Sequence, residues 1–186
     1  HGVMLVLDMQ ARVLAMANYP TYDLNALVAG GDEARAILSD DRNLMLNYAI
    51  GSRATPGSIF KMVTGFGALD SGVLKPDEMI SDMGYYTAYN SDLSTAPKCW
   101  ISEGYRSQHY YQTIVNGLSN SCNYFFYELA SRCTWQMLDE TAKGFGLGEP
   151  TGIELTEITG YRSNPDSKKA NHTGVDAAWG AGDRVL

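Results

Sequence analysis

Residues Thr55-Pro56-Gly57-Ser58-Ile59-Phe60-Lys61 decide how this chain is read. Proline and glycine form a turn, and the residues after it open an apolar helix expected to run from Ser58 to about Asp70. Ser58 and Lys61 stand at i and i+3, so they share one face of that helix. A serine hydroxyl becomes a useful nucleophile when a base lies within hydrogen-bond reach, and an amine held in a desolvated site can be that base. Ile59, Met62, Val63, Phe66 and Leu69 recur at helical spacing and are expected to form the buried stripe. On the neighbouring stripe stand Ser58, Lys61, Gly65 and Ala68, where small side chains let another backbone come close. Gly72, with Pro76 beyond it, is placed to end the helix. At the start, the N–H of Ser58 is a candidate oxyanion donor. The competing reading makes Ser58 an N-cap and Lys61 a solvated first-turn residue.

A second polar cluster, Ser121-Cys122-Asn123, opens the aromatic run Tyr124-Phe125-Phe126-Tyr127. This spacing puts a hydroxyl and an amide at a helix start, where one can pass a proton and the other can hold a peptide carbonyl. Capping is the alternative, since serine and asparagine both favour that position. Three cysteines, Cys99, Cys122 and Cys133, form an odd set. Cys99, His109 and Cys122, with Asp82 or Glu103 as a fourth group, are candidate zinc ligands. Buried thiols or a Cys99–Cys122 disulfide are the alternatives.

The remaining chain is read more coarsely. Residues 3–8 and 12–18 alternate as two strands joined by a short turn at Met9-Gln10-Ala11. Residues 20–56 read mostly as loop, with one helix over Asp32–Leu38. Residues 80–108 lack sustained periodicity, and helices are expected near 110–118, 122–132 and 135–144. Tyr85, Tyr86, Tyr89, Tyr105, Tyr110 and Tyr111 either line a cleft or pack this loop onto the helices. A length of 186 residues with 45% apolar content suits one domain with its own core. The net charge of −7, with no basic run longer than Lys168-Lys169, argues against nucleic-acid binding. No apolar run is long enough to span a bilayer, and no signal peptide is visible, since His1 leads directly into a strand pattern.

Taken in order, these motifs resemble a known family. The stretches Gly2–Asp8 and Arg12–Pro20 are similar to the opening hairpin of penicillin-binding protein transpeptidase domains. Asp41–Asn47 followed by Thr55–Lys61 resembles the approach to their nucleophile, and Ser121–Ala130 resembles their second motif. Phe145–Gly148 and Thr151–Leu155 follow in the family's order, and Pro97–Trp100 has a Gram-positive flavour. The similarity is nearest to the class B, elongation-type branch. One departure stands out: the third motif, Lys-Thr-Gly or Lys-Ser-Gly on a strand, is absent, since none of the Thr-Gly pairs follows a lysine.

The resemblance implies an α/β (α+β) fold of the serine β-lactamase/transpeptidase type, with residues 1–186 forming its helical half plus the N-terminal strands of the antiparallel sheet. Membrane anchor, pedestal and C-terminal strands are expected to lie outside this sequence. It further implies D,D-transpeptidation of peptidoglycan stem peptides at the extracytoplasmic face of the bacterial membrane. Ser58 would be the nucleophile, Lys61 its base, Ser121 the proton relay and Asn123 the group orienting the substrate amide. β-Lactams would acylate Ser58, and a membrane glycosyltransferase is the implied partner. The reaction requires no metal, nucleotide or redox cofactor. Without the third motif the chain is expected to be impaired, with a sheet edge and apolar helix faces left open. Two other readings remain: a serine β-lactamase or β-lactam sensor, and a non-catalytic binding or scaffold fragment of the same fold.

Overall fold

The computed structural model describes residues 1–104 and 108–162. The described residues divide into two compact units, His1–Arg53 with Pro150–Thr159, and those of 54–149 with 160–162. Helices and short antiparallel strands are mixed, as expected from the sequence.

In the first unit, β1 (Gly2–Leu7) pairs antiparallel with β2 (Val13–Tyr19), Gly2 opposite Tyr19 and Val6 opposite Ala15. The register shifts between Val6 and Leu7 as the chain enters its turn. Asp8 organises that turn: one carboxylate oxygen accepts the amides of Gln10 and Arg12, both at 2.9 Å, and the other accepts Arg12 Nε at 2.6 Å. The Arg12 amide and guanidinium hold the Asp8 carboxyl below its ordinary value. The strands fall within a residue or so of their expected ends. Helices α1 (Leu24–Ala29), α2 (Gly31–Leu38) and α3 (Tyr48–Gly51) follow. Only α2 was legible; α1 and α3 are one-turn pieces too short for periodicity and depend on the caps Asp23 and Asn47. Arg53 Nε donates to Thr159 O at 2.9 Å and Ile158 N to Ile50 O at 2.7 Å, which fastens the returning segment.

The second unit carries the core. A 3-10 turn, Gly57–Phe60, leads into α4 (Lys61–Asp70). Strand β3 (Ile80–Asp82) pairs antiparallel with β4 (Tyr110–Gln112), and α5 (Trp100–Gly104) lies between them in sequence. Then come α6 (Ile114–Ser119), α7 (Asn123–Arg132) and α8 (Trp135–Gly144). Phe125, Phe126, Leu129, Leu74, Tyr86 and Ile114 anchor a core into which α7 is sunk.

Two expectations are corrected here. The helix predicted near 110–118 is instead strand β4, the cap Thr113, and the shorter α6. The face that α4 buries is the small-residue face: Lys61, Gly65 and Ala68 are buried with Val63, Thr64 and Gly67. Ile59, Met62 and Phe66, expected inside, are 67%, 57% and 53% exposed. Close approach explains the choice. A Cβ on Gly65 would lie 2.9 Å from Ile114 Cδ1, and one on Gly67 would lie 2.7 Å from Thr141 Oγ1. Among the aromatics, Tyr86 is core, with ring centroids 5.3 Å from Tyr124 and 5.8 Å from Tyr127. Tyr110 and Tyr111 are exposed, and Tyr105 lies outside the described residues.

Candidate active site

Turn and helix together present Ser58 and Lys61 toward the junction of α6 and α7. The chain enters through Gly57, whose φ of 56° suits glycine and leaves Ser58 inside the 3-10 turn. Ser58 is therefore not the cap, since Pro56 occupies that position. Its amide belongs to the first turn, whose N–H groups have no partner within the helix. Lys61, only 1% exposed, lies across the face of Phe126 with Nζ 5.6 Å from the ring centroid.

Three acceptors converge on Lys61 Nζ: Asn123 Oδ1 at 2.6 Å, Ser121 O at 2.9 Å and Ser121 Oγ at 3.0 Å. Ser121 Oγ also lies 3.1 Å from Ser58 Oγ. The four residues named from spacing are thus brought together, with the Ser121 hydroxyl between nucleophile and amine. An ammonium would fill all three acceptors, and Ser121 would then donate to Ser58. A neutral amine gives only two protons, to Asn123 Oδ1 and Ser121 O, and its lone pair faces the Ser121 hydroxyl. Both hydroxyls can then turn, so that Ser58 donates to Ser121 and Ser121 donates to Lys61. The same heavy atoms therefore serve a proton path in either direction.

The local structure of Ser121 differs from the helix start read in the sequence. Ser121 has φ 48°, the left-handed region that favours glycine. Its N–H donates to Leu118 O at 3.1 Å, and the Cys122 N–H donates to Gly117 O at 2.9 Å. These two bonds are the Schellman pattern that closes a helix, here α6, with serine in the place usually given to glycine. The cap of α7 is then Cys122, whose Sγ accepts from Phe125 N at 3.4 Å. Neither member of the Ser121/Asn123 pair is consumed in capping.

Behind Cys122 lies a second cluster. Asp82, Cys99, His109 and Cys122 bring their donor atoms within 4.8 Å of one another. Cys99 Sγ is 3.8 Å from Cys122 Sγ and 3.4 Å from His109 Nδ1. Asp82 Oδ2 is 3.1 Å from His109 Nδ1 and 3.3 Å from Cys122 Sγ. Burial pushes the Asp82 carboxyl up, but the amide of Gly84, the two thiols and the His109 amide outweigh it, leaving the group below its ordinary value. The bond from Cys122 draws the Cys99 thiol down, while Cys122 is raised by that bond and by burial. Two thiols, an imidazole and a carboxylate are a zinc-type donor set. Four of the six spacings, 3.1–3.8 Å, are near the edges, about 3.3–3.8 Å, of a tetrahedron built on ordinary zinc–ligand lengths, and all six are within 4.8 Å. Among the described residues Asp82 is the carboxylate that joins the cluster; the Glu103 side chain lies outside them. All three cysteines are free thiols, including the buried Cys133.

Several known proteins are similar to this chain. Haemophilus influenzae peptidoglycan D,D-transpeptidase MrdA is 28% identical over 187 residues, covering 99% of this chain and 28% of that protein. A crystal structure of Pseudomonas aeruginosa PBP2 superposes with TM-score 0.79 at 25% identity, covering 92% of this chain and 40% of the other. A structure described as a peptidoglycan synthase complex that coordinates polymerization and crosslinking gives 0.84 at 27% identity, covering 97% and 31%. The chain spans about a quarter of the length of the curated relatives it matches. The family described as "Penicillin binding protein transpeptidase domain" matches residues 2–182, and this chain belongs to it.

Proposed function

We propose that this chain supplies the nucleophile half of a serine D,D-transpeptidase that cross-links peptidoglycan stem peptides. The observation that carries the proposal is the run Ser58 Oγ, Ser121 Oγ, Lys61 Nζ, with steps of 3.1 and 3.0 Å and the amine buried. With Lys61 neutral, Ser58 attacks the carbonyl of the penultimate D-alanine while its proton passes to Ser121 and the Ser121 proton to Lys61. Collapse of the tetrahedral intermediate breaks the peptide bond. The Ser121 hydroxyl gives its proton to the departing D-alanine amine and regains one from Lys61. Asn123 Oδ1 is held by Lys61, which leaves its Nδ2 to meet the substrate carbonyl. The amine of a second stem peptide then attacks the acyl-enzyme, and the protons run back along the same path to release Ser58. A β-lactam acylates Ser58 by the same first step.

The strand motif that would add carboxylate recognition and a second oxyanion donor does not occur in the sequence. Loss of one such donor costs on the order of 3 kcal/mol in the transition state. The chain by itself is therefore read as impaired, and as one segment, residues 1–186, of a longer enzyme. We read that enzyme as working at the extracytoplasmic face of the membrane. A polymerizing glycosyltransferase beside it is supported by the synthase complex to which the fold is similar.

Intact-protein mass spectrometry after incubation with benzylpenicillin, with Ser58→Ala as control, tests the assignment. A persistent adduct lost in the control supports a transpeptidase. Fast turnover of the adduct would favour a β-lactamase, and no adduct even in the longer protein would favour a non-catalytic scaffold.

The cluster behind Cys122 has its own reading. Asp82, Cys99, His109 and Cys122 would hold a zinc ion in a structural role, clipping β3 and α5 to the start of α7. The transpeptidation reaction does not use it. Protein purified without chelator is expected to carry about one zinc per chain, lost in Cys122→Ser. Substoichiometric zinc in the parent would leave the four groups as a hydrogen-bonded cluster only.

A further inference from the structure

Ser121 is held in a conformation that serine does not favour, and beside it stands a set of residues that the transpeptidation scheme does not use. A left-handed conformation is unfavourable for a residue with a Cβ, and it persists only where the surroundings over-determine it. Next to Ser121, Asn120 is fixed twice. Its backbone carbonyl accepts from Trp100 Nε1 of α5 at 3.1 Å. Its side-chain Nδ2 donates to Gln112 Oε1 of β4 at 2.8 Å. Gln112 is itself buried and rigid, because its Nε2 donates to His109 O at 2.7 Å and to Tyr111 O at 2.8 Å. Its amide therefore cannot turn over to offer a proton to Asn120. Trp100 in turn packs on His109, with ring centroids 5.4 Å apart. Two separate segments thus grip the residue that precedes the strained one.

We propose that Asn120, gripped by Gln112 and Trp100, is a positioning residue: it keeps Ser121 left-handed so that the Ser121 carbonyl and hydroxyl both face Lys61. Ser121 O and Oγ lie 2.9 and 3.0 Å from Nζ, and a relaxed φ would rotate this pair of oxygens away from the amine. The step from Ser58 to Ser121 would lengthen at the same time. The proposal rests on the proton path described above for its consequence in acylation. Its structural part stands on the turn alone.

Two measurements test it, each on Asn120→Ala, Asn120→Asp and Trp100→Phe. The first is amide hydrogen exchange at Ser121 and Cys122, whose N–H groups make the two Schellman bonds. Exchange at these two positions is expected to speed up about tenfold or more, with the middle of α7 unchanged. Asn120→Asp keeps the size but sets an acceptor against Gln112 Oε1, so it should behave like the alanine variant; a space-filling role would leave it like the parent. Adding Ser121→Gly should restore protection, because glycine holds this φ without help. Unchanged exchange in Asn120→Ala, or no restoration by glycine, overturns the proposal. The second measurement separates the binding constant from the acylation rate for benzylpenicillin in the full-length protein that contains this chain. The rate is expected to fall about tenfold or more with binding within twofold, as for loss of orientation rather than of contacts. An unchanged rate in a parent that does acylate also overturns the proposal. A parent that never acylates counts against the transpeptidase reading, and the exchange result then decides the positioning role alone.

Discussion

Ser121 shows how a catalytic geometry and a stable backbone can want different residues. Both Ser121→Ala and Ser121→Gly remove the hydroxyl, so the difference between them isolates the backbone. In most ordered positions alanine is the more stable of the two by roughly 0.5–1 kcal/mol. At φ 48° the order should invert, because only glycine meets no Cβ penalty there. We expect Ser121→Gly to exceed Ser121→Ala by about 1 kcal/mol in urea unfolding. Equal stabilities, or a more stable alanine variant, would mean that Ser121 is not left-handed in solution. The sequence named this serine by its spacing from Asn123, but nothing in Ser121-Cys122-Asn123 signals a left-handed turn. Serine carries no mark of positive φ, and the two bonds that accompany it end on the carbonyls of Leu118 and Gly117.

At the scale of elements, glycines report which faces touch. Gly117 of α6 stands against Phe125: an added Cβ would lie 2.8 Å from Cδ1 and 3.0 Å from Cγ. Phe125 is fully buried and has no room to retreat. Gly117→Ala should therefore destabilise by about 1–3 kcal/mol, although alanine is the better helix former. Gly144, at the end of α8, has nothing within 4 Å of an added Cβ. Gly144→Ala should be neutral or stabilise by up to about 1 kcal/mol. Thermal unfolding of the two variants side by side checks the contrast, and shifts of the same sign would refute it. The same contacts explain what the sequence could and could not tell. The β1–β2 hairpin and α8 were legible because their patterns are local: two short runs about a turn, and a helical period within one segment. Helix α4 was located, and Val63 and Leu69 do pack inward, but Ile59, Met62 and Phe66 face outward. Periodicity assumes that the apolar stripe is buried, whereas Gly65 and Gly67 let Ile114 and Thr141 close on the small stripe. Strand β4 was taken for helix because Tyr110-Tyr111-Gln112 is three residues long and defined by its partner β3. Ser58, Lys61 and Asn123 stood out by chemistry and spacing. Asn120, Gln112 and Trp100 did not, since their role exists only where three segments meet.

For the molecule as a whole, the distribution of apolar surface makes a demand of its own. In the second unit Ile59, Met62 and Phe66 line the outer face of α4, and Phe145 beside them is 53% exposed. Phe66 and Phe145 meet edge to face, with centroids 5.3 Å apart, and both line a cavity of about 440 Å³ bounded by α4 and α8. In the first unit, successive residues Val3 to Leu7 are all exposed, so the hairpin shows apolar side chains on both faces. Contiguous apolar surface of this kind is uncommon on a soluble monomer and promotes association. A charge of −7 opposes contact between copies, and salt screens that repulsion. The 186-residue chain in isolation should therefore self-associate with rising concentration, and more strongly in 0.5 M salt than in 0.05 M. Ile59→Lys, Met62→Lys and Phe66→Lys together should move it toward monomer, read by light scattering on a sizing column. In the full-length protein the same triple change separates two cases. If other parts of the enzyme cover this stripe, the buried lysines should destabilise it by several kcal/mol. If the stripe faces water there too, stability should hardly change. A chain that stays monomeric at high concentration and high salt would show that these surfaces are tolerated as they stand.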